Sequence, residues 1–290
     1  MDVQLRAARP EDMPACIDLF HESLRDLLRR HNMPAEGLPP ADRTLAYYQH
    51  TLDTGIFDVA EIDGRLVALA CATVRDHLWF LAGFWARPAM QHKHLGSAIL
   101  RRVWDAGLNR GATHFFVWSS MDLPALAAYM RLGMLPGTQL FTFEGSPVVS
   151  GETAAGYSVG PLPRGFAAAI DMITLGTGRH IDHEFRSRRG WLGRQVMKDG
   201  IGVGYYYLDG GSLGPAACCE PVHCAPMLAL ACGEAADSGL HVILRVPGMN
   251  HEALRFAFTS GLRLTNVANL LMSAPFGHLE QYVPSGPALF

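Results

Sequence analysis

The chain has 290 residues, 49% of them apolar and 18% charged, with a formal net charge of -3 at pH 7, a composition that can bury a sizeable core and leaves no disordered bulk. That length favours two domains over one, and the slightly acidic balance argues against a nucleic-acid partner while leaving room for a local anion pocket. No apolar run is long enough to span a bilayer, and the opening segment MDVQLRAARPEDMPACIDLF lacks the basic and apolar regions of a leader, so a soluble, cytoplasmic protein with no membrane partner is expected. The six cysteines (Cys16, Cys71, Cys218, Cys219, Cys224 and Cys232) show no CxxC spacing, which speaks for buried thiols rather than a zinc site or a disulfide framework.

In chain order, VQLRAA reads as a short strand, and residues 10–31 repeat apolar side chains at helical spacing behind an early proline and two acids. A Pro-rich loop leads to a second helix over 44–55. Residues 57–74 form two extended runs joined by Asp63-Gly64, the dipeptide that supplies the positive φ angles of a tight hairpin. A third run, LWFLAGFWA, precedes a helix over 95–111, a buried strand THFFVWSS, a short helix DLPALAAYMRLG and a last strand QLFTFEG. This β-α-α-β-β-β-α-β-α-β order closes a first domain at residue 145, and the Gly/Pro-rich stretch 146–156 reads as a linker to a second domain, 157–290.

The second half repeats the first. Gly111 and Gly133 recur as Gly239 and Gly261 at one common offset, which also places Met121 on Met249, Asp122 on Asn250 and THFFVW on HVILRV. The hairpin dipeptide recurs as Asp199-Gly200. Fixed-spacing self-similarity with the same element order points to duplication of one fold.

The chemistry concentrates at FWARPAMQHKHLGSAIL, where a strand ends, the chain turns and a helix begins. The first helical turn exposes unpaired N–H groups at the positive end of the helix dipole, a natural seat for phosphate if nearby side chains are small or turned away. This junction resembles the acetyl-CoA loop of the GNAT superfamily of N-acetyltransferases, Arg/Gln-x-x-Gly-x-Gly/Ala. Gln91 and Gly96 fit the pattern, with His92, Lys93 and Leu95 between them and Ser97 starting the helix, while His94 stands at a glycine position. The upstream RPED and the downstream DLPALAAYMRLGM match the family as well, and residues 157–275 are similar to the C-terminal domain of bacterial tandem GNAT proteins. The resemblance implies an α/β (α+β) fold of two tandem GNAT-like domains, each a mixed, mainly antiparallel sheet flanked by helices.

It also implies acetyl-CoA as cosubstrate, with no metal, and a small-molecule amine as acceptor. Backbone amides of the strand segment ending in Phe84, Trp85 and Ala86 would hold the thioester oxyanion, Tyr129 would protonate the leaving thiolate, and Asp122 stands where the family has an asparagine beside the pantetheine arm. No general base carries over; Asp76 and His77 are candidates by position only, and water is the alternative. At His94 two readings stay open beside that of a ligand-free polar turn: a side chain that blocks the diphosphate, or, with His92 and Lys93, a cationic rim that compensates for the lost fit.

The second copy keeps less. Leu95-Gly96 fall on His223-Cys224, Pro226 enters the first helical turn, and Tyr129 falls on Ala257, so this half is expected to retain the fold without a catalytic centre. His180 and His183 have HxxH spacing but no third ligand to make a metal site, and strand alternation sends Tyr206 to the face opposite Tyr205 and Tyr207. The expected function is an acetyl-CoA-dependent N-acetyltransferase, which a homodimer would suit, with a non-catalytic acyl-CoA or metabolite binder of the same fold as the alternative.

Overall fold

In the computed structural model, residues 3–33, 38–90, 95–149 and 151–290 are described, and the chain divides into two compact units. The first, Met1–Leu135 with Pro287–Leu289, contains β1 (Gln4–Ala7), α1 (Met13–Arg30), α2 (Ala41–Thr54), β2 (Ile56–Ile62), β3 (Arg65–Arg75), β4 (Leu78–Ala86), α3 (Leu95–Asn109), β5 (His114–Ser119) and α4 (Leu123–Arg131). Strands β1 to β4 pair antiparallel in sequence order, and β5 joins β4 in parallel. The hairpin between β2 and β3 turns on Asp63 and Gly64, both at positive φ (50° and 77°), the geometry that matches the right-handed strand twist.

Strand β3 is buried over most of its length because helices cover both faces of the sheet. One face carries Met13, Cys16, Ile17 and Leu19 of α1 and Tyr48 of α2 against Phe57, Leu69 and Cys71. On the other, α3 buries Ile99, Leu100, Val103, Trp104 and Gly107, the stripe its three- and four-residue spacing implies. Trp79 anchors that face, its indole N–H donating to Val103 O at 3.2 Å. A Cβ on Gly107 would lie 2.4 Å from the Trp79 ring, so glycine there is what lets α3 approach the sheet.

The second unit, Pro136–Gly286 with Phe290, contains β6 (Leu135–Gly145), β7 (Tyr157–Pro161), α5 (Phe166–Leu175), α6 (His180–Arg188), β8 (Leu192–Lys198), β9 (Ile201–Asp209), β10 (Ser212–Cys218), α7 (Cys224–Asp237), β11 (Val242–Pro247), α8 (His251–Thr259), β12 (Arg263–Met272) and β13 (Tyr282–Val283). Its sheet repeats the first: β7 to β10 antiparallel, then β11 parallel to β10. Asp199 and Gly200 again take positive φ in the hairpin. Tyr206 hydrogen-bonds Glu234 of α7 at 2.8 Å, whereas Tyr205 donates to Asp171 of α5 on the opposite face.

Strand β6, counted with the first repeat on sequence grounds, pairs antiparallel with β11 from Leu140↔Pro247 to Gly145↔Val242. Self-similarity records which segments share an origin; compactness records what each packs against. The stretch 146–156 is likewise tied to the second unit, where Val148 N donates to Ser260 O at 2.9 Å and Val149 and Ala154 pack against the core.

Candidate active site

The site is created by a fault in pairing. Strands β4 and β5 run in register from Leu78↔His114 to Leu81↔Val117, and among the described residues their pairing stops there although both strands continue. On the other edge of β4 the register with β3 slips at the same place, Leu81 facing Ala72 and Gly83 facing Cys71. Ala82 is therefore a bulge, which bends the strand and re-aims its peptide groups. Beyond it, among the described residues, Gly83–Ala86 have no pairing with β5, which leaves a gap in the ladder on that edge of β4.

Three elements converge on that gap. Phe84 points toward α3 and α4: a Cβ on Gly96 would sit 3.1 Å from Phe84 Cζ, and the rings of Phe84 and Tyr129 are 6.0 Å apart, edge to face. Gly96 thus keeps the first turn of α3 low over Phe84. Leu95 is buried beneath that turn while Ser97 is exposed on it. Trp85 turns to the opposite face and meets Phe20 of α1 at 5.0 Å, and Ser23 of α1 donates to Ala86 O at 3.0 Å, fixing the end of β4. Gln91, His92, Lys93 and His94 lie outside the described residues.

Tyr129 is 6% exposed. Burial, and then the nearby charge of Asp122, hold its phenol well above the usual tyrosine range, so it stays protonated and can act as a donor but not as a base. Asp122 caps the start of α4 with no side-chain hydrogen bond into the helix. Its Oδ1 instead accepts from Arg30 Nη1 of α1 at 2.6 Å, with His31 Nε2 at 3.7 Å. Asp76 and His77 lie in the turn before β4, six and five residues before Ala82, or about 16–20 Å along the strand at ~3.3 Å per residue, so they do not join the site.

Sequence reasoning missed Arg30, Ser23 and the Ala82 bulge. Only the bulge left a trace, the glycine inside LAGFWA, since an isolated strand glycine signals a bulge or a close backbone approach. The HxxH pair also resolves: His183 Nε2 is 2.8 Å from Asp171 Oδ2, whereas His180 is exposed. Among the described residues no helix is long and apolar enough to cross a membrane.

Residues 21–134 match the model of the Acetyltransferase (GNAT) family. No curated protein sequence matches the chain. Among solved structures, a putative acetyltransferase from Pyrococcus horikoshii superposes with a TM-score of 0.79 at 16% identity, over 99% of this chain and 96% of that one. A GCN5-related N-acetyltransferase from Sphaerobacter thermophilus gives 0.67 at 16% identity over 96% and 98%. A tandem GNAT protein from the clavulanic acid biosynthesis pathway gives 0.63 at 13% identity over 94% and 99%. The first unit thus carries a match to the Acetyltransferase (GNAT) family model over residues 21–134, and along nearly the whole chain the fold is similar to that of these acetyltransferase structures.

Proposed function

We propose that the first unit transfers the acetyl group of acetyl-CoA to the amine of a small molecule. The observation that carries this reading is the parting of β4 and β5 at the Ala82 bulge, directly in front of the α3 N-terminus and beside buried Tyr129. The gap suits an extended arm that pairs with strand backbone, and the first turn of α3, with Leu95, Gly96 and Ser97, suits a diphosphate through the positive end of the helix dipole. Gln91 to His94 lead into that turn in sequence and would complete the cradle.

Acetyl-CoA supplies an activated thioester. The residues after the bulge, Gly83 to Ala86, offer amides that would stabilise the oxyanion formed when the amine attacks. As the new N–C bond forms and the C–S bond breaks, Tyr129 gives its proton to the departing sulfur, and the proton lost by the amine goes to water, because Asp76 and His77 are too distant. Asp122 acts by holding α4 to Arg30 rather than by donating to the cosubstrate. All six cysteines are free, as suits the reducing cytoplasm where we place the protein.

The test is an assay of thiol release from acetyl-CoA with a panel of primary amines of graded size and charge. Amine-dependent release is expected with the native chain. A chain that binds acetyl-CoA but releases no thiol with any amine would instead be a binding module.

A further inference from the structure

Both units carry the same fault, and among the described residues only the second has a strand of the chain paired into it. In the second unit, β10 pairs in parallel with β11 at Ser212↔Ile243 and Leu213↔Leu244. The β9–β10 register then slips, from Leu213↔Leu208 to Ala216↔Tyr206, so the bulge falls at Gly214-Pro215. Aligning His114 with Val242 by the repeat offset makes Gly83 and Phe84 the counterparts of Ala216 and Ala217.

At those two positions the chain pairs with itself. Strand β13 lies antiparallel to β10, with Ala216↔Val283 and Ala217↔Tyr282, and Tyr282 and Val283 are completely buried. Gly214 is fitted to this arrangement: a Cβ there would lie 2.6 Å from Pro284 O and 3.2 Å from Ser285 Cα. Side chains around the gap hold the segment by its main-chain oxygens. Asn250 Nδ2 donates to Tyr282 O at 3.2 Å, Arg245 Nη1 to Ser285 O at 2.8 Å, and Cys218 Sγ lies 3.7 Å from Gln281 O. Asn250 is the N-cap of α8, the place that Asp122 holds on α4.

We propose that residues 282–285 are a built-in ligand of the second unit: an extended peptide added to the open edge of β10, where the first unit leaves room for an acyl-CoA arm. The second slot is closed by the chain itself, and the intact protein takes up one acyl-CoA. The count of one rests on the function proposed for the first unit; the closure of the second slot does not. Strand addition explains the mode of binding, since main-chain hydrogen bonds give affinity and alternate side chains fill pockets on the two faces. It also accounts for the loss of glycines and cations at 216–226, because a slot filled by a neutral peptide has no diphosphate to hold.

Hydrogen–deuterium exchange on the full chain, with and without 1 mM acetyl-CoA, tests both parts separately. Residues 280–286 should exchange at least about 10²-fold more slowly than an unstructured peptide, and acetyl-CoA should leave them unchanged while slowing residues 82–86 and 95–97. Free exchange of 280–286 without ligand, or their release when acetyl-CoA is added, would overturn the closure. Protection at 280–286 with no response at 82–86 would leave the closure standing and remove the function proposed for the first unit. Calorimetry should give one acetyl-CoA per chain, and two would refute the closure. In the full-length Val283→Asp variant, 280–286 should approach the unstructured rate while 82–86 still respond to acetyl-CoA; unchanged protection in that variant would contradict the pairing.

Discussion

Tyr129 shows how a residue's environment selects among its chemical roles. With burial and the Asp122 carboxylate both raising its phenol, the proton is retained across the working range and only donation is open to it. Replacing it by Phe should lower kcat by about 10²-fold, the usual scale for a lost general acid, at an unchanged Kd for acetyl-CoA, as initial rates and calorimetry would measure. A second prediction concerns His183. Burial foremost lowers it from its ordinary 6.5, Arg186 and Arg179 add to that, and its hydrogen bond and attraction to Asp171 oppose them without prevailing. It is thus neutral when folded and takes up a proton on unfolding below about pH 6.5. The unfolded state binds more protons there, so stability is full above that value and falls as the pH drops through it. Asp171, which burial alone would raise, is held low chiefly by Arg179 and then by His183 and Tyr205, so its own stabilising share is lost only below its ordinary 3.8. Urea midpoints should therefore decline between pH 7 and 5, and His183→Gln should flatten that decline.

At the scale of elements, α1 and α4 are tied by Arg30 and Asp122, whose side chains are 39% and 15% exposed. A part-exposed pair contributes less than about 1 kcal/mol to stability. Arg30→Ala should leave the melting temperature nearly unchanged yet lower kcat several-fold, because α4 carries Tyr129; an equal loss of stability and rate would argue against a positioning role. Gly107→Ala should do the opposite, costing about 1–3 kcal/mol by overpacking against Trp79, with little change in the activity of the folded fraction; denaturant melts and rates per folded molecule separate the two. The elements legible in the sequence were those set by local rules. Asp63-Gly64 and Asp199-Gly200 announced their hairpins through the φ angles they alone take easily, and α3 through its apolar stripe. Strand β13 is two residues long, too short for any periodicity, and it exists only because a distant bulge leaves an edge to pair with. The Arg30–Asp122 pair joins positions 92 residues apart, which no spacing rule connects.

Across the whole molecule, duplication has given two units with the same sheet order and the same fault after the fourth strand, followed by different fates. The sequence repeat made this visible in outline, since Tyr129 aligns with Ala257 and Gly96 with Cys224. It did not reveal that the second gap is filled by the chain, nor that β6 would pair with β11, because both depend on contacts between segments far apart in the sequence. In the function proposed above the first unit is the one that holds a cosubstrate, and that reading rests on the end of pairing after Leu81↔Val117. Calorimetric titration of the full-length protein with acetyl-CoA addresses that claim most directly. Saturable binding of one equivalent is expected, retained in Tyr129→Phe; no detectable heat up to millimolar acetyl-CoA would contradict the function proposed for the first unit.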